Sequence, residues 1–260
     1  MHRGSLEDLD SLRSGAANSD GVIHTAFIHD FLNYAASAEA DARAIETLGS
    51  ALVGSGRPLV VTSGTLLLQR QGPLATEQDE SAPNFPRRSE AAGFAMARQG
   101  VRVSVVRLPP SVHGDGDHGF VPRLIAIARE KGASAYVGDG LNHWPAVHRL
   151  DAARLFRLAL EKGTTGSRYH GVADQGVPFR EIAQIIGRRL NVPVISKLAG
   201  EAAEHFGWIA NFAGVDGPAS SDETQQQLGW RPTHASLTSD IDRPAYFQAT
   251  TEVTPAAGGR

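Results

Sequence analysis

The chain has 260 residues, a net charge of −3, 41% hydrophobic and 20% charged residues, enough to bury a sizeable core and far from the composition of a disordered chain. The acidic balance excludes a general nucleic-acid binder, which needs a basic excess to neutralise phosphates. It has no cysteine, so disulfides and thiolate chemistry are excluded. It also has neither an apolar run near the ~20 residues of a membrane span nor the basic-then-apolar start of a signal peptide, and it reads as soluble and cytoplasmic.

The first dozen residues read as a strand end and a short helix capped by Ser5, with acidic residues in its first turn. Asp20-Gly-Val-Ile-His-Thr-Ala-Phe27 reads as a short buried strand and residues 29–36 as a loop. Ala38, Ala42, Ile45, Leu48 and Leu52 then recur at helical spacing up to Gly54. Pro58-Leu-Val-Val-Thr-Ser-Gly-Thr65 predicts a second strand ending in hydroxyl and glycine residues. Residues 69–88 are polar and proline-bearing, a surface loop, with Ser89 as N-cap of a helix to about Gln99.

The next strand, Val101-Arg-Val-Ser-Val-Val106, is apolar enough for a parallel sheet covered on both faces. Pro109 and Pro110 stop it, and Gly114-Asp-Gly-Asp-His-Gly119 supplies a polar loop near its carboxyl end. Ligands of open α/β sheets bind at that end, so the site is expected here. Beyond it come a helix over 121–131, a strand over 134–138, a helix led by Asp151 as N-cap, a strand over 168–172 and a helix opened by Pro178. Residues 192–230 carry short mixed elements, including an amphipathic stretch over 202–212, and the Thr-, Pro-, Ala- and Gly-rich end predicts a disordered tail. Alternating strands and helices predict an α/β fold, a Rossmann-type doubly wound parallel sheet. The expected units are 1–108, part of a dinucleotide-binding domain; 109–247, sheet completion with a smaller substrate-binding part; and 248–260, the tail.

Asp20-Gly-Val-Ile-His-Thr-Ala, Val60-Val-Thr-Ser-Gly, Val103-Ser-Val-Val-Arg-Leu-Pro with Val112-His-Gly, Val147-His-Arg-Leu-Asp-Ala-Ala and Leu228-Gly-Trp-Arg-Pro follow one another in an order that resembles the atypical and extended short-chain dehydrogenase/reductases, the NAD-dependent epimerase/dehydratase group. The resemblance implies NAD or NADP as cofactor and oxidation, reduction or epimerisation at a secondary alcohol or ketone of a sugar or related small-molecule substrate, and the edge that an expected missing first strand would leave at Val22 to Ala26 implies association into a homo-oligomer. The chain departs from the family twice. The glycine-rich strand–turn–helix that opens the family is not at the start, so the chain is expected to lack about two N-terminal βα units and to bind dinucleotide poorly. The family's Tyr-x-x-x-Lys aligns with Pro86-Arg-Arg-Ser-Glu90.

The resemblance places Thr62 and Ser63 at the reacting substrate oxygen, Thr25 and Ala26 beside the cofactor, and Arg107, Pro109, Pro110 and Ser111 along the nicotinamide loop. Strand and loop termini explain the same residues equally well. His113, with Asp115, Asp117 and His118, is a candidate acid–base group, although a solvated glycine-rich turn accounts for the cluster; no metal is expected. Trp144 and His148 are expected at the substrate cleft, and Tyr34 and His29 are the nearest replacement proton donors. Two other readings stay open: a catalytically silent nucleotide-sensing or interaction protein on the same fold, and a non-functional fragment.

Overall fold

The structure, a computed structural model, describes residues 2–248; the predicted tail lies almost wholly outside them. In chain order the main elements are α1 (Leu9–Ala17), β1 (Val22–His24), α2 (Tyr34–Ser50), β2 (Pro58–Gly64), α3 (Ser89–Arg98), β3 (Arg102–Leu108), β4 (Ser111–His113), α4 (Phe120–Lys131) and β5 (Ser134–Val137). Then follow β6 (His143–His148), α5 (Arg149–Lys162), β7 (Arg168–His170), β8 (Asp174–Pro178), α6 (Phe179–Leu190), β9 (Val194–Lys197), α7 (Ala202–Phe206), α8 (Ala210–Ala213), α9 (Asp222–Leu228) and α10 (Leu237–Ile241).

The main sheet has the order β1-β2-β3-β7 and is parallel throughout. Its side chains alternate between two cores, as the period of two requires. Leu59, Val61, Val103 and Val105 face α2 and α3, while Val60 and Val106 face α5 with Leu155, Phe156 and Trp230. Helices on both faces explain why these strands read as continuous apolar runs. A third core, around Trp144, Phe179, Ile182 and Phe206, holds α4, α6 and α7 together. Beside it lie the small sheets β4-β6-β8 and β5-β9.

Four local expectations are corrected. Among the described residues no strand precedes α1, and its cap is Asp8, whose carboxylate accepts Ser11 N, not Ser5. The helix expected to start near Ala38 begins at Tyr34, inside the predicted loop. Position N-cap of α5 belongs to His148; the Asp151 carboxylate instead accepts the backbone N–H groups of Thr233 and His234. Its charge fixes the segment after Trp230, whose indole donates to Asp151 O at 3.0 Å. Finally, the amphipathic 202–212 stretch breaks into α7, a 3-10 turn at Gly207–Ile209 and α8, because Gly207 sits at φ +59°.

Gly93 lets α3 lie close on the sheet: a Cβ there would meet Val61 Cγ2 at 3.2 Å and Val103 Cγ1 at 3.3 Å. Both valines are fully buried, so little can give way. Gly93→Val is therefore expected to cost about 1–3 kcal/mol by overpacking, read as a lower urea midpoint; an unchanged midpoint would contradict this packing.

Candidate functional site at the carboxyl ends of the strands

The carboxyl ends of β1 and β2 are tied to α2 and α3 by a closed ring of hydrogen bonds around Asp41, a carboxylate with no exposure in the middle of α2. Asp41 Oδ1 lies 2.8 Å from His24 Nε2, and Asp41 Oδ2 accepts the Ser89 hydroxyl at 2.5 Å. Arg87 Nε donates to Ser89 Oγ at 2.9 Å and its Nη2 to Thr62 O at 3.1 Å. Thr62 Oγ1 closes the ring by donating to His24 O at 2.7 Å. A buried carboxylate is tolerable only when its oxygens are satisfied and its charge is answered. Here His24 and Ser89 fill the oxygens, and Arg87 brings a permanent positive charge one hydroxyl away. Ser89, expected as a helix cap, thus opens α3 while Arg88 stands at the cap position.

Arg87 also lies 4.2 Å above the half-buried Phe27 ring, a cation–π contact that orients the guanidinium. Tyr34, the first residue of α2, faces the same guanidinium and touches Phe27 and Phe85, with ring centroids 5.6 Å apart in each case. Burial raises the Tyr34 phenol above its ordinary value, although Arg87 pulls the other way. Phe31, on the β1–α2 connection, stacks on Trp208 at 4.1 Å and 11°. That contact joins the rim to the third core.

The expected site residues fall into separate groups. Thr25 and Ala26 are exposed just past β1. The Thr62 hydroxyl is committed to His24 O, and Ser63 is buried with its side chain on Glu90. Pro109 is buried, Pro110 half-buried, and Ser111 is buried with no hydrogen-bond partner for Oγ. Arg107 does not face the rim: it is fully buried and donates from Nε and Nη2 to Glu90 at 2.8 Å each.

This ion pair fills the position where the resemblance expects lysine. Burial pushes the Glu90 carboxyl up, but Arg107 and Ser63 hydrogen bonds outweigh it and the net shift is downward. Arg107 Nη1 reaches His170 Nε2 at 3.2 Å, while His170 Nδ1 donates to Ser220 O at 2.8 Å. Burial, and then the charge of Arg107, lower His170 to about 4.

His113 sits elsewhere, in β4, with Nδ1 on Asp240 Oδ2 at 2.8 Å and a buried Nε2 that has no partner. Tyr246 closes this corner: its hydroxyl accepts Gly114 N at 2.8 Å and donates to Asp117 Oδ2 at 3.1 Å. Asp115 pairs with Arg243, and His118 is exposed. His148 lies beside His113 and stacks on His234, whereas Trp144, expected at the cleft, is fully buried against Phe179. No group of three or more His, Cys, Asp or Glu among the described residues is arranged to hold a metal ion.

A dinucleotide needs backbone amides open to its pyrophosphate, at a glycine-rich turn that opens a helix. Between His24 and α2 there is no glycine. The Gly114–Gly119 turn before α4 has glycines at suitable spacing, but Asp117 Oδ1 already accepts Gly119 N at 2.7 Å and Tyr246 occupies Gly114 N. Two carboxylates there would repel phosphate. Neither of these two turns therefore fits a pyrophosphate.

Replacing Arg107 by Met would strand the Glu90 carboxylate and is expected to cost about 3–5 kcal/mol, whereas Arg107→Met with Glu90→Leu should cost far less. Urea unfolding of both variants checks this, and equal losses would contradict it. The pH dependence has a definite sign. Glu90 is depressed, so its contribution is present above the ordinary carboxylate range and is lost as pH falls through its folded value. His170 stays neutral in the folded protein while the unfolded chain takes up its proton below about 6.5, so stability also declines as pH falls from there towards about 4. A His170→Asn variant should show a flatter decline over that window.

No family model matches the chain. It is 56% identical over 246 residues to an uncharacterized protein of Schizosaccharomyces pombe, a match covering 94% of this chain and 83% of that protein. An uncharacterized protein of Saccharomyces cerevisiae is 48% identical over 242 residues, covering 92% of this chain and 81% of that one. Among solved structures, a dTDP-glucose 4,6-dehydratase from Streptomyces venezuelae with NAD bound superposes with a TM-score of 0.76 at 20% identity, over 95% of this chain and 79% of that one. A UDP-glucose 4-epimerase from Thermotoga maritima with UDP-glucose gives 0.75 at 18% identity, over 96% and 84%. These structures share the Rossmann-type fold.

Proposed function

Since the chain belongs to one family with the two yeast proteins and has the fold of nucleotide-sugar dehydratases and epimerases, we propose that it is an NAD(P)-linked protein of the epimerase/dehydratase type. Its substrate is a secondary alcohol or ketone of a sugar or related small metabolite. The observation that carries this reading is the rim of β1 and β2. There a fixed guanidinium, Arg87, stands beside a phenol, Tyr34, where ligands of such sheets bind. Polar groups fixed in advance around a reacting oxygen are what carbonyl and hydroxyl chemistry requires. Because neither of those turns is open to a pyrophosphate, the roles assigned here are those of the chain's own side chains: holding the substrate oxygen and shielding it from water behind Phe27, Phe31 and Phe85.

One observation favours the silent reading. Glu90, at the position of the family's lysine, is locked on Arg107 and has no capacity left for a ribose hydroxyl. The two readings separate in one assay. Purified protein is offered NAD or NADP with UDP-glucose, dTDP-glucose and free sugars, following both nicotinamide absorbance and product by mass spectrometry, with calorimetry for binding. The enzymatic reading expects product formation that falls in Arg87→Ala. Binding of a nucleotide sugar without product would establish the silent reading instead. Dinucleotide alone is expected to bind weakly, and tight binding of NAD would show that the chain forms a cradle by some other route.

A further inference from the structure

We infer that Tyr34 is the proton donor of this site and that Arg87 is its charge partner, a phenol–guanidinium pair assembled from α2 and the loop before α3 in place of the family's pair on one helix. This rests on the enzymatic reading above. Arg87 is clamped by three contacts, to Ser89 Oγ, Thr62 O and the Phe27 ring, so its charge cannot swing away from the phenol. The Tyr34 ring is wedged between Phe27, Phe31 and Phe85, which fixes the direction of its hydroxyl. The residue is half-buried, close enough to solvent for a ligand oxygen to reach it.

The step is a single proton transfer. The Oη–H bond of Tyr34 breaks, an O–H bond forms on a ligand oxygen carrying developing negative charge, and the phenolate left behind is held by Arg87 until solvent returns the proton. The charged groups facing the phenol are Arg87, which favours phenolate, and Asp41, which opposes it; His29 faces Arg87 from the β1–α2 connection. Net burial keeps the phenol protonated at neutral pH, the form a donor needs.

The test uses the whole chain with 13C at Cζ of its four tyrosines, and Tyr34→Phe to assign one signal. Titrated to alkaline pH, the Tyr34 midpoint should rise by about one unit or more in Arg87→Ala and stay near wild type in Arg87→Lys. Formate, an oxyanion probe, should shift the Tyr34 signal at neutral pH in wild type and not in Arg87→Ala. Should the alanine variant fail to fold by circular dichroism, Arg87→Gln takes its place. A Tyr34 midpoint indifferent to Arg87, or a signal indifferent to formate, overturns the assignment. In the turnover assay, Tyr34→Phe should lose about 10²–10⁴-fold in kcat with KM little changed, and an unaltered kcat also overturns it. Absence of any wild-type turnover would instead refute the enzymatic reading, leaving the magnetic-resonance result to decide whether the pair exists.

Discussion

A single buried carboxylate organises the rim. Asp41 has no exposure, and an unpaired charge at that depth would cost several kcal/mol. Its needs dictate its surroundings: the His24 imidazole from β1, the Ser89 hydroxyl from α3 and, through Ser89, the Arg87 guanidinium. Arg87 is in turn fixed to Thr62 O and the Phe27 ring, and Thr62 ties back to His24 O, so four chain segments distant in sequence are held in register around one charge. The aromatic cluster around Phe27 and Tyr34 is aligned by the same guanidinium. A hydrophobic contact of similar area would bind these segments without fixing their direction, because it is non-directional.

A second buried charge pair has the opposite consequence. Arg107 and Glu90 fill the interior between β3 and α3, and with His170 they form a closed, fully occupied network. Groups saturated in this way stiffen the scaffold and have nothing left to offer a ligand. Hydrogen-bonding capacity and exposure remain together on the side of the rim around Arg87, which is where the proposed chemistry is assigned.

The strands and long helices were legible in the sequence because their apolar periodicity is strong: β2 and β3 carry runs of valine and leucine covered on both faces, and α6 places Ile182, Ile185 and Ile186 on one side. Helix starts were less so. Tyr34 reads as loop because the residues before Ala38 lack an apolar stripe, and Asp151 reads as a cap because its true partners, the amides of Thr233 and His234, lie 82 and 83 residues away in sequence. The site was only partly legible. Thr62 and Ser63 do end a strand at the rim and Tyr34 reads as a donor from sequence, but Arg107, which reads as a cofactor contact, is an interior ion pair. Asp41 and Arg87 went unread. Asp41 did leave a trace, a carboxylate within the apolar stripe of Ala38, Ala42 and Ile45, whereas nothing local distinguishes Arg87 from Arg88, since their difference arises only from the fold.

The geometry of the rim depends on the ring that ties Arg87 to Asp41. Its most direct measurement is hydrogen exchange of the Arg87 Nε–H, followed by nitrogen-edited magnetic resonance in wild type and in Asp41→Asn, which keeps the side-chain shape and removes the charge. The account predicts a slowly exchanging, resolved Nε–H in wild type and a marked loss of that protection in the variant. An Arg87 Nε–H that exchanges equally fast in both proteins would contradict it.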